Sequence, residues 1–151
     1  MSDAPLPPIE TSIEIAAPTS QVWAAMVDPE TVSAWLGCLN FVAEVGATFH
    51  MQPDPAKRAS GDIGGATCCD VELLEPDRCL QFSWYLPGTP KTTVRIELRP
   101  SAPGRTMVSL THSGWDLFPA AMIAPIRSGL EGGWGGHVLP ALKVLCEAAA
   151  A

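Results

Sequence analysis

The side chains able to do chemistry in this sequence are few: His50, His112 and His137, and the cysteines Cys38, Cys68, Cys69, Cys79 and Cys146. The cysteines form no C-x-x-C pair and no spacing with the histidines that resembles a zinc site, so neither a metal nor a cofactor is expected. An odd, unpatterned set of thiols fits a reducing cytosol. Cys68 and Cys69 are adjacent, but neighbours on a strand point to opposite faces, so they read as ordinary side chains. The sequence has no G-x-S-x-G elbow, no phosphate loop and no H-E-x-x-H. The run G-D-I-G-G from Gly61 to Gly65 reads as a turn. What chemistry remains depends on which histidines face inward, and that depends on the elements that carry them.

The stretch Ile9–Ile15, I-E-T-S-I-E-I, places Ile13 and Ile15 on one face and Glu14 on the other, which predicts a first strand. A proline-rich leader, residues 1–8, precedes it and is expected to be flexible. Pro18 and Thr19 open a helix carrying Val22, Trp23, Met26 and Val27. Asp28, Pro29 and Glu30 supply a cap, a first-turn proline and an acid at the positive end of a second helix over 29–36, which Gly37 can end. From Gly46 the pattern alternates. Strands are predicted at 46–51, 66–74, 79–85, 92–98 and 105–113, separated by turn clusters at Pro53–Pro55, Pro76–Asp77, Pro87–Pro90 and Pro100–Gly104. From Ala120 onward helical spacing returns, with Leu130, Trp134, Val138, Ala141, Leu142 and Leu145 as an apolar stripe. Five glycines between 129 and 136 and Pro140 oppose that helix. Either the helix starts near Trp134 after a glycine loop, or the glycines let it pack very closely on the sheet or a ligand.

One strand, two short helices, a five-stranded meander and a long terminal helix make an α+β fold in which a bent antiparallel sheet wraps around the C-terminal helix. Several motifs share this order with a known family: I-E-I-A-A-P-T-S-Q-V-W (13–23), D-P-E-T-V-S-A-W-L-G (28–37), C-D-V-E-L-L-E-P-D-R-C-L-Q-F-S-W (69–84), T-V-R-I-E-L-R-P (93–100), L-T-H-S-G-W (110–115) and E-G-G-W-G-G (131–136). In this the chain resembles the SRPBCC superfamily, also called START-like or helix-grip, and within it the group similar to the activator of the heat-shock-protein-90 ATPase. The resemblance runs from about Ile9 to Leu145. It implies a helix-grip domain over 9–151 and a terminal helix that begins before Trp134. Two features depart from the family: Phe118–Ile126 is more apolar than the usual approach to this helix, and Pro140 interrupts the helix itself.

Taking the more apolar parity of each strand as inward gives Phe49 and Met51; Cys69, Val71 and Leu73; Leu80, Phe82 and Trp84; Val94, Ile96 and Leu98; and Val108, Leu110 and His112. Trp35, Leu36, Trp134, His137, Val138 and Ala141 would face them from the helices. Such a mostly apolar, aromatic wall has the character of a small-molecule pocket. The same residues would equally fill a solid core. Asp70, Glu72, Arg95, Glu97 and His50 fall on the outer parity, and no carboxylate pair remains inside. His112 and His137 are then the candidate catalytic groups, each able to act near neutral pH or to serve as a plain structural residue.

The net charge of −7 and the scatter of nine Lys and Arg residues exclude a polyanion footprint, so nucleic acid is not an expected partner. No apolar run is long enough to cross a bilayer and no charged-then-apolar leader opens the chain, which predicts a cytoplasmic protein without membrane insertion. The expected function is binding of a small hydrophobic or aromatic molecule in a cavity between sheet and helix. One alternative is a cyclase- or aromatase-like enzyme acting on a polyketide-like or lipid-like substrate held there. Another is a co-chaperone-like interaction module. A homodimer fits any of these.

Overall fold

A computed structural model describes residues 6–52 and 54–150, and one seven-stranded antiparallel sheet organises them. The strands are β1 (Ile9–Ile15), β2 (Cys38–Leu39), β3 (Thr48–Met51), β4 (Thr67–Glu75), β5 (Cys79–Trp84), β6 (Thr92–Ala102) and β7 (Arg105–Ser113), in the order β1-β7-β6-β5-β4-β3-β2. The meander runs without a crossover from β2 to β7, and β1 then pairs with β7 from Ile9 opposite His112 to Ile15 opposite Thr106. Helices α1 (Thr19–Val27) and α2 (Pro29–Leu36) follow β1, as the sequence predicts. The cap of α2 is the expected one: an Asp28 carboxylate oxygen accepts from the Glu30 amide at 3.0 Å, and Gly37 ends the helix at φ 70°.

Two elements were not foreseen. β2 is only two residues long. Helix α3 (Pro55–Ser60) occupies what reads in the sequence as a turn cluster, with Asp54 accepting from the Ala56 and Lys57 amides, Pro55 in the first turn and Gly61 at φ 75°. The local grammar is that of α2, acid-proline at the start and glycine at the end, on a segment with no buried residue. Pro53, within that expected turn, lies outside the described residues, as do residues 1–5 of the expected leader. The leader's Pro7 and Pro8 carbonyls accept from the Arg127 guanidinium at 2.8 and 3.1 Å.

The C-terminal helix runs through the glycines. It comprises α4 (Ala120–Gly133), a π-turn (Trp134–Val138) and α5 (Leu139–Ala150). The wide turn fits the local sequence. The Leu139 amide reaches back five residues to the Trp134 carbonyl just before Pro140, which has no amide to give. It also shifts the phase of the apolar stripe. Trp134, Leu139, Leu142 and Cys146 are buried, while Val138, Ala141 and Leu145 pack only partly against the core. Of the glycines, Gly135 explains itself: a Cβ there would sit 3.1 Å from Thr11 Oγ1 on β1, so the helix lies hard against the sheet edge at that point. The far end of α5 is tied down as well, because Glu147 accepts from the Ala16 amide and pairs with Lys143. No helix among the described residues is long and apolar enough to cross a membrane.

Gly114, which turns the chain out of β7, is the most constrained glycine. Its φ is 103°, and a Cβ would meet the Thr92 backbone at 3.2 Å. Gly114→Ala therefore combines a forbidden backbone with a clash. It should lower the unfolding free energy by about 1–3 kcal/mol in urea titration. Gly129→Ala, in open space on α4, should be neutral or mildly stabilising in the same measurement.

Candidate functional site

Most of the inward set comes together as a close-packed core. Phe49, Cys69, Phe82, Val94, Ile96, Val108 and His112 have no exposure, and Trp35, Leu36, Val71, Leu80, Leu98, Leu110 and Trp134 are buried. Phe49 stands edge-on to both Phe41 and Phe82, with ring centroids 5.1 and 5.2 Å apart. Met51, Trp84, Val138 and Ala141 border this core half-buried. Two residues depart from the expected face. The register shifts between Val71 and Leu73, which sets Leu73 opposite the outward Gln81 and lets Leu74 pack inward instead. His137 is exposed, because the π-turn carries it off the face that Trp134 presents to the sheet. It lies in an open apolar groove of about 510 Å³ between α2 and α5, with Ala34, Pro140 and Val144.

His112 is the polar centre of the core. Its Nδ1 lies 3.1 Å from Trp134 Nε1, and its Nε2 lies 2.7 Å from Thr92 Oγ1. An indole nitrogen can only donate, so Nδ1 must be the unprotonated nitrogen and Nε2 must carry the proton. Nε2–H then donates to Thr92 Oγ1, whose own hydroxyl donates to the Trp84 carbonyl at 2.6 Å. The His112 carbonyl accepts from Trp115 Nε1 at 2.9 Å. Three indole rings, from Trp84, Trp115 and Trp134, surround the imidazole with centroids 5.4, 4.4 and 5.9 Å away. Burial lowers the His112 pKa to about 3. Both ring nitrogens are engaged and the charged form is suppressed, so His112 holds structure together and has no free valence for acid–base work.

A space that could take a ligand lies at the edge of this core. Leu36 and Gly37 at the end of α2, Met51 on β3, Thr67 on β4, Trp84 on β5 and Leu130 on α4 enclose an apolar cleft of about 230 Å³. Leu36, Met51 and Trp84 belong to the expected wall. Gly37, Thr67 and Leu130 were not assigned to it, although Thr67 shares the inward parity of Cys69 and Leu130 belongs to the helical stripe. The Thr67 hydroxyl has no hydrogen-bond partner among the described residues. Cys38, next to Gly37, is a buried thiol pushed up to about 12 by desolvation, with the Arg58 guanidinium acting in the opposite direction.

The outer face carries the charges that the parity assigns to it. Asp70 accepts from Thr48 at 2.8 Å, Tyr85 at 3.2 Å and Lys91 at 2.9 Å, and these bonds hold its carboxyl below the usual range against the opposing effect of burial. Arg95 lies 3.4 Å from Glu97. His50 is there too, with Nδ1 buried and without a hydrogen-bond partner among the described residues. Among the described residues no three His, Cys, Asp or Glu side chains are set to hold a metal.

The low pKa of His112 has a consequence for stability. The unfolded histidine takes up a proton near pH 6.5 whereas the folded one does not until about pH 3. Stability is therefore full above the unfolded pKa and is lost as pH falls from about 6.5 toward 3, by up to about 1.4 kcal/mol per pH unit. Urea titrations at pH 7.5 and 5.5 should show this loss in the wild type. His112→Phe, which leaves Trp134 Nε1 and Thr92 Oγ1 unpaired, should be less stable at pH 7.5 by about 2–4 kcal/mol and should lack that part of the pH dependence.

Comparison with known proteins agrees with this architecture. The protein MLL2253 from Mesorhizobium loti superposes with a TM-score of 0.70 at 24% identity, covering 90% of this chain and 95% of its own. PFC0360w, an HSP90 activator from Plasmodium falciparum, does so with a TM-score of 0.72 at 15% identity over 93% and 96%. The Aha1 dimer from Colwellia psychrerythraea gives 0.66 at 19% identity over 94% and 97%. No curated protein matches. The family model described as activator of Hsp90 ATPase homolog 1-like protein matches residues 16–147, nearly the whole domain, and the chain belongs to that family.

Proposed function

We propose that this protein binds a small hydrophobic or aromatic molecule in the cleft formed by Leu36, Gly37, Met51, Thr67, Trp84 and Leu130. The observation that carries the reading is the character of that cleft: an apolar, indole-walled recess at the junction of sheet and C-terminal helix, backed by a core that is itself full. Its size, just below the range of drug-sized pockets, sets the ligand at one or two fused rings or a short branched chain. The centre of the molecule is occupied by side chains, so the ligand is held at the rim of the core.

The enzymatic alternative has less support, since both ring nitrogens of His112 are engaged in hydrogen bonds and His137 lies on another face. The co-chaperone alternative is supported by the family's description and by the Plasmodium activator, and recovery of an Hsp90-type ATPase with this protein as bait would favour it. A homodimer is the proposed protein partner, with support from the Colwellia relative. Free thiols at all five cysteines support a cytoplasmic setting.

Leu130→Trp would fill the cleft from the α4 side without touching the His112 hydrogen bonds. Naphthalene-type probes should quench or shift the tryptophan emission of the wild type saturably and raise its Tm. The variant should bind them at least about tenfold more weakly while unfolding cooperatively. Equal binding by the variant would place the ligand elsewhere and overturn the reading.

A further inference from the structure

Helix α3 supplies a charge that the cleft itself lacks. Arg58 lies in its last turn, and its Nη1 would be 3.5 Å from a Cβ built on Gly37, a residue that lines the cleft. Arg58 is a half-buried residue. Nη1 donates to the Gln52 carbonyl at 2.6 Å, which fixes the fork, while no carboxylate pairs with it among the described residues. An arginine offers five donors, and one bond of this kind leaves most of the fork without an acceptor. Its charge is also felt at the neighbouring buried thiol of Cys38, which places it at the protein's inner margin.

The nearby carboxylates are committed elsewhere. Asp54 caps α3 through the Ala56 and Lys57 amides, and Asp62 accepts from the Gly64 amide at 2.8 Å. Lys57, the other cation of this turn, donates to the Gly64 carbonyl at 3.3 Å. A partly desolvated, oriented guanidinium beside an apolar recess is the arrangement that recognises an anion carried on a hydrophobic body, because a planar fork matches a carboxylate in two parallel hydrogen bonds. With one arginine at the rim and a chain whose net charge is −7, a single negative charge fits better than two.

We infer that the ligand is an amphipathic monoanion, a compact ring or short apolar chain in the cleft with its carboxylate on Arg58, and that Arg58 is the specificity-determining residue. This inference rests on the cleft reading and sharpens it. Thr67, with its unpartnered hydroxyl, would take any second polar group on the ring.

The test uses a matched pair of probes, naphthalene-1-acetate and naphthalene-1-acetamide, titrated into the full chain by tryptophan emission at pH 7. The wild type should bind the acid about tenfold tighter than the amide, and added salt should erode that preference. Arg58→Gln should bring the acid down to the amide's affinity and leave the amide unchanged; Arg58→Lys, which keeps the charge without the fork, should fall between. Circular dichroism and Tm of both variants establish that they are folded, as expected for a helix with no buried residue. If the amide binds as well as the acid, or the acid's preference survives Arg58→Gln, the role of Arg58 is wrong while the cleft stands. If neither probe binds the wild type, the cleft reading falls and this inference with it.

Discussion

The hydrogen-bond chain through His112 is the constraint on which the rest of this structure depends. It runs from the Trp134 indole on the C-terminal helix, through the imidazole on β7, to the Thr92 hydroxyl on β6 and the Trp84 carbonyl on β5. A helix lying on a curved sheet is otherwise held by apolar contact, which has strength but little directional preference. This chain supplies direction. It sets the rotation of the helix at Trp134, fixes the approach of β5 to β6 at their open end, and so sets Trp84 as one wall of the cleft. A buried polar group with every partner satisfied stabilises one arrangement and penalises the others, since each slip would leave a donor or acceptor unpaired in the core.

The helix accommodates that anchor by changing its own geometry. At Gly135 a Cβ would sit only 3.1 Å from Thr11 Oγ1, and five residues on, Pro140 denies the helix a backbone hydrogen bond. The π-turn over Trp134–Val138 answers both demands and rotates the following residues by a fraction of a turn. Leu139 takes the buried position that Val138 would have held, and His137 moves to an outer groove. One local deviation thus separates the two histidines that strand parity and regular helical spacing would both set inward. Among the described residues the two imidazoles therefore lie apart, one in the core and one on an outer groove.

The fold was largely legible because its signals are periodic and local. Strand alternation located β1 and β3–β7, the Asp28-Pro29…Gly37 grammar matched α2 to the residue, and the order of motifs pointed to the helix-grip family. The same grammar at Asp54-Pro55…Gly61 was masked by its prolines and by the lack of any apolar stripe on a helix that buries nothing, so α3 and its Arg58 were missed. The site was less legible for physical reasons. Parity places Leu73 inward until a bulge reverses it, and a helical wheel drawn at regular spacing cannot anticipate a π-turn. Parity also identifies which residues face inward without saying whether they line a hollow or fill it. Phe49, Phe82 and their neighbours are buried together, and the apolar cleft lies at the edge, on residues such as Thr67 that an apolar criterion passes over.

His112 is a sealed, neutral imidazole joining helix to sheet. Nitrogen-15 NMR of the imidazole at pH values from 8 to 4.5 measures this directly. A single Nε2-protonated tautomer is expected, with shifts that stay constant across that range while the protein remains folded. Titration of His112 with a midpoint near 6.5, or protonation at Nδ1, would contradict it.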